Sequence, residues 1–125
     1  MKIGLYLDEI SLQVLKKGLF VSCEPKERIE ELSPGLAEQR IAEIGETYLV
    51  CNMNNEEQGK ARLVDAFSTT FGDPDHRVLQ LIGFEGDPEK FMEQYGAFYR
   101  KQFPDAVLST ETELFVTVYE PVRDS

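Results

Sequence analysis

At 125 residues the chain is one domain long, since independently folding units cluster near about 100 to 150 residues. Thirty-six residues are Leu, Ile, Val or Phe, enough apolar surface to exclude wholesale disorder. The formal net charge of −10 repels polyanions and excludes a general basic field as the source of affinity, so any contact with RNA needs a local basic patch.

Taken in chain order, Ile3 to Leu7 is a short apolar run read as a strand, stopped by Asp8, whose carboxylate suits the N-cap of a helix over Glu9 to Lys17. Ile10, Val14 and Leu15 share one face of that helix. Lys16 and Lys17 close it with cations favourable to the helix dipole, ahead of Gly18, a residue suited to a left-handed C′ position. The same two lysines can instead contact a ligand phosphate. Leu19 to Cys23 reads as a second strand, ended by Pro25.

The stretch from Glu24 to Gly45 carries six acids against three bases and contains Ser33-Pro34-Gly35. Its patches of helical spacing predict a solvated connection with one or two helical turns. From Thr47 the period changes to two: Tyr48, Val50 and Asn52 alternate with Leu49, Cys51 and Met53. After the turn-rich segment from Asn54 to Gly59 the alternation resumes from Lys60 to Phe67, predicting a β-hairpin with Leu63 and Phe67 on one face and Arg62 and Val64 on the other.

Val78 to Phe84 is apolar but too short to assign to helix or strand by period alone. Asp87-Pro88 then provides an N-cap and a preset first turn, and Phe91, Met92, Tyr95, Phe98 and Tyr99 recur at helical spacing, predicting a helix that packs its aromatic stripe into the core and stops before Pro104. Leu114 to Glu120 alternates as a half-buried strand. The order predicts an α+β fold with a mostly antiparallel, curled sheet and two short flanking helices, a single domain over residues 1–125.

The chemistry-bearing residues are few. Cys23 and Cys51 lie in apolar strand-like runs without metal-ligand spacing, and read as inert core thiols. The one histidine, His76, sits in a polar turn and reads as a surface residue. No Gly-x-Ser-x-Gly elbow, phosphate loop or dinucleotide glycine pattern is present. Asp73 and Asp75 lack the other acids of a calcium loop, so neither metal nor cofactor is expected. No apolar run approaches the roughly 18 residues of a membrane span, and the first 18 residues lack the apolar core of a secretory signal, which together predict a cytoplasmic protein with no membrane partner.

Several short stretches resemble the ASCH domain, a relative of the PUA fold. They are Leu5 to Gly18, Gly45-Glu46-Thr47-Tyr48-Leu49-Val50 and Gly59-Lys60-Ala61-Arg62-Leu63-Val64-Asp65. In the last third they are Gly83-Phe84-Glu85, the capped helix from Asp87-Pro88 to Tyr99-Arg100, and Ser109-Thr110-Glu111-Thr112 before the final strand. The resemblance implies a PUA-like β-barrel with a cleft for RNA or a modified nucleoside, here a small nucleotide-like ligand or a short single strand. It implies a cleft lined by Lys16, Lys17, Ser22, Arg62 and Glu85.

Some ASCH domains hydrolyse the acyl amide of acetylated cytidine, with a lysine, a hydroxyl residue and a glutamate. Ser22 and Glu85 can stand for the last two, but Leu19 or Phe20 occupies the position of the lysine, so the resemblance implies binding in preference to catalysis. A third reading has the acidic segment from Glu24 to Glu43 engage a basic protein partner.

Overall fold

The structure, a computed structural model, describes residues 4–105 and 108–122. Ten elements follow in chain order: β1 (Gly4–Tyr6), α1 (Glu9–Lys17), β2 (Phe20–Pro25), α2 (Lys26–Leu32), α3 (Leu36–Ala42), β3 (Thr47–Cys51), β4 (Glu57–Thr70), α4 (His76–Ile82), α5 (Pro88–Gln102) and β5 (Glu113–Val122). The strands form one sheet in the order β1-β3-β4-β5-β2, antiparallel except for the β1–β3 pair.

The α+β class and the curled, mostly antiparallel sheet are as expected. Two features differ. The sheet is a half-barrel, because its two edge strands, β1 and β2, do not pair. Among the described residues five helices, not two, flank it: the acidic connection folds into α2 and α3, and the ambiguous run from Val78 falls in α4. Local acid-base spacing supports the acidic helices, with Arg28 bonded to Glu31 at 3.3 Å and Arg40 to Glu43 at 3.1 Å. The α2–α3 turn is closed by Glu30, which accepts from the Gly35 amide at 2.6 Å.

Alternation along β5 divides the core. Leu114, Val116 and Val118 face α4 and α5, packing with Val78, Leu79, Phe91 and Tyr99. Phe115 and Tyr119 face the concave side, where Tyr119 meets Leu12, Leu15, Tyr48 and Leu63 and Phe115 meets Ala37 and Ala66. The aromatic stripe of α5 is core at Phe91 and Tyr99, but Phe98 is 51% exposed, since i+7 from Phe91 falls at the margin of the packed face.

The expected sharing of one face by Leu63 and Phe67 fails. A β-bulge between Leu63 and Asp65 shifts the parity, so Leu63 packs on the concave side and Phe67 against α4 and α5. Gly18 also departs from expectation: its φ of 161° is extended backbone, not left-handed. No helix among the described residues is long and apolar enough to cross a membrane.

Candidate functional site

The open seam of the half-barrel is the candidate site. α1 joins β1 to β2, so the chain itself holds the two edges of the sheet near each other without pairing them. Between them lies a cleft of about 370 Å³, lined from β1 by Leu5 and Tyr6, from β2 by Phe20, Ser22 and Glu24, from β5 by Phe115, Thr117 and Tyr119, and from α3 by Arg40. That volume lies within the range of small-ligand pockets, about 300–1,000 Å³.

Its floor is a grid of three cross-strand pairs: Phe20 opposite Tyr119, Ser22 opposite Thr117, and Glu24 opposite Phe115. Residues two apart on a strand share a face, which is why one cleft receives an aromatic pair, a hydroxyl pair and an acid in sequence. The Phe20 and Tyr119 rings are stacked with centroids 6.3 Å apart. Thr117 is the buried polar residue of β5, in a strand otherwise apolar at its centre.

Arg40 reaches the aromatic end. Its guanidinium lies 5.1 Å from the centroid of the Tyr48 ring and donates to Glu43 at 3.1 Å and to the Tyr48 hydroxyl at 3.4 Å. The Tyr48 hydroxyl donates to Glu43. Burial, and then the bond to Glu43, holds the Tyr48 phenol well above the ordinary range. Burial likewise raises the Tyr119 phenol. Hydrogen bonds from Arg40, Tyr48 and Gln39 hold the Glu43 carboxyl below its ordinary value, against the opposing effect of desolvation.

Two carboxylates complete the lining. Asp8 caps α1, accepting from the Ser11 amide at 2.7 Å, and that bond holds its carboxyl below the ordinary value. Glu24 behaves oppositely. The residue is exposed at the mouth of the cleft, and the protein around it desolvates the carboxylate enough to raise its pKa.

Of the residues assigned to a site from sequence, Ser22 lines this cleft. Lys16 lies in a separate shallow groove with Leu12, Val50, Gly59 and Lys60, and Lys17 is exposed at the end of α1. Arg62 projects from the other face of β4, since its neighbours Ala61 and Leu63 pack on the concave side, and it pairs with Glu120. Glu85 sits between α4 and α5, next to Phe84 in the core on the far side of the sheet, 3.8 Å from His76.

The structure therefore does not bring Lys17, Ser22, Arg62 and Glu85 around one hollow. Ser22 and Glu85 stand on opposite faces of the sheet. Both cysteines are buried free thiols, as expected, and burial pushes Cys23 up to about 11. Among the described residues no group of three His, Cys, Asp or Glu could hold a metal.

Sequence reasoning missed Glu24, Arg40, Thr117 and Tyr119. Thr117 and Tyr119 carried a signal, as polar-tipped residues on one parity of an apolar strand. Arg40 carried none, because its approach depends on how α3 folds back over the sheet. A second hollow of about 230 Å³ lies between α2 and α5, but its Arg28 is bonded to Glu31 and lies 5.5 Å from the Phe103 ring centroid.

Two solved structures share this architecture. One is an ASCH domain from Lactobacillus crispatus JV V101, with a TM-score of 0.63 and 11% identity, covering 95% of this chain and 78% of that one. The other is a protein from Enterococcus faecalis V583 assigned to the family DUF984, with a TM-score of 0.63 and 12% identity, covering 98% of this chain and 76% of that one. No family model and no curated protein matches the chain. At such identities the likeness establishes the fold alone: the chain has the architecture of an ASCH domain.

Proposed function

Starting from an ASCH-type fold, we propose that this chain is a binding module whose seam cleft takes one nucleoside-sized polar ligand. The observation that carries the proposal is the floor of the cleft, where a stacked aromatic pair, a hydroxyl pair and an acid follow one another along β2 and β5. The half-buried Phe20 ring, backed by Tyr119, suits a planar base, worth about 1–3 kcal/mol per stacked base, and the half-buried Ser22 hydroxyl suits the polar edge of a base or sugar. The net charge of −10 disfavours long RNA, so a free nucleoside or a short single strand is the fitting occupant.

The test is titration of the isotope-labelled protein with the four ribonucleosides and a short single-stranded RNA, followed by amide chemical shifts. Saturable shifts confined to β2, β5 and α3 are expected. Ser22→Ala is expected to weaken binding about threefold to tenfold, the effect of one hydrogen bond. Shifts that never saturate, or that map to α4 and α5, would remove the proposal.

A further inference from the structure

We infer that the cleft selects ligands carrying an amine or a fixed positive charge and no phosphate, with Glu24 receiving the positive group. The inference rests on the cleft being the ligand site and goes further by fixing the charge of the occupant, which narrows the two candidate occupants to the free nucleoside.

The pairing pattern around the cleft leaves one charge unanswered. Arg40 is the cation of the lining, and Glu43 already neutralises it at 3.1 Å. Asp8 accepts the Ser11 amide as the cap of α1. Glu24, in contrast, accepts no hydrogen bond and joins no ion pair among the described residues. The next two cations along the chain are committed elsewhere: Lys26 to Glu113 at 3.3 Å and Arg28 to Glu31 at 3.3 Å.

Glu24 is also held in place. It occupies a paired position on β2, opposite Phe115, in a cleft whose other walls include Ile29 and Leu36. Glu24 is exposed at the mouth of the cleft, open to a ligand, with Ile29 and Leu36 beside it to limit its hydration. The same desolvation raises its pKa. A ligand amine placed there exchanges a poorly hydrated charge for a charge-assisted hydrogen bond. A phosphate, in contrast, meets Asp8 and Glu24 with no uncommitted cation among the described residues of the lining to receive it.

The experiment measures affinities for cytidine, uridine, 1-methyladenosine and cytidine 5′-monophosphate by calorimetry, on the wild-type chain and on Glu24→Gln. Cytidine presents an amino donor beside a bare ring nitrogen where uridine presents a carbonyl beside a ring N–H, 1-methyladenosine is a cation at neutral pH, and the monophosphate adds negative charge. Cytidine and 1-methyladenosine are expected to bind at least about tenfold more tightly than uridine, and the monophosphate about tenfold less tightly than cytidine.

Glu24→Gln is expected to erase the preference over uridine, and its amide spectrum compared with wild type checks that the variant is folded. Equal affinity for cytidine and uridine, tighter binding of the monophosphate, or a preference that survives Glu24→Gln would overturn this inference and leave the binding-module reading standing. Failure of all four ligands to bind would overturn both.

Discussion

The Tyr99 hydroxyl donates a 2.6 Å hydrogen bond to the Cys23 carbonyl, tying α5 on one side of the sheet to the strand whose other side carries Ser22 and Glu24. The bond is buried, so the carbonyl has no ready access to replacement water. Tyr99→Phe leaves the ring packing in place and removes the donor. The expected cost is about 1–3 kcal/mol, the penalty for an unsatisfied buried acceptor. Urea denaturation measures it as a lower midpoint with an unchanged slope. A midpoint equal to wild type would show that the bond does not anchor β2.

Burial raises the Tyr99 phenol far above its ordinary value of about 10, and Tyr48 is raised by burial and Glu43. A group whose folded pKa lies above its unfolded value favours the folded state while protonated, and that contribution is lost as pH climbs past the unfolded value. Stability is therefore expected to fall progressively above about pH 10. The phenols of Tyr48 and Tyr99 should ionise only together with unfolding. Ultraviolet titration against circular dichroism tests this: phenolate appearing for all five tyrosines before ellipticity changes would contradict it.

Asp8 serves α1 and the cleft at once. Asp8→Ala removes the acceptor of the Ser11 amide and is expected to cost about 1 kcal/mol, the usual worth of an N-cap. Its carboxyl is held below the ordinary value of 3.8 by the Ser11 bond. The ionic part of its contribution is thus fully present above that value and lost as pH falls through the lower folded one. Melting curves should show the gap between wild type and Asp8→Asn, which keeps an acceptor without the charge, closing as the acid limit is approached. A gap independent of pH would assign the effect to geometry alone.

Gly72 is required by close approach. A Cβ there would stand 2.5 Å from the Thr110 Cβ and 2.7 Å from the Thr110 carbonyl oxygen, where the Gly72 amide donates to that same oxygen at 2.8 Å. Gly72→Ala must push the 109–112 turn away from the end of β4. The expected loss is about 1–3 kcal/mol, as for other overpacked sites, read as a lower melting temperature. An unchanged melting temperature would mean that the turn gives way freely.

Periodicity and punctuation carried a good deal. Asp8 as a cap, the helix from Pro88 with Phe91 and Tyr99 inward, the period-two strands around Tyr48 and Leu114, and buried Cys23 and Cys51 are all local consequences of side-chain spacing and backbone preference. The acidic segment was less legible: α2 and α3 are seven residues each, too short to show more than two turns of pattern. The bulge at Leu63–Asp65 was invisible, since one extra residue in β4 is defined only by its pairing with β5, and it reverses which side of the sheet Phe67 joins.

The sequence by itself determined the strands, the first and last helices and the acidic composition, because these depend on composition and on neighbours within about one helical turn or two strand positions. Only the tertiary structure decided the site. Sheet order places β1 and β2 at opposite edges, and curling brings them close enough to frame one cleft. Strand parity then turns Ser22, Glu24, Thr117 and Tyr119 into that cleft and Arg62 out of it, while Glu85 follows α4 to the far face. Long-range register and curvature arise from contacts between residues far apart in the chain, and no local spacing encodes them.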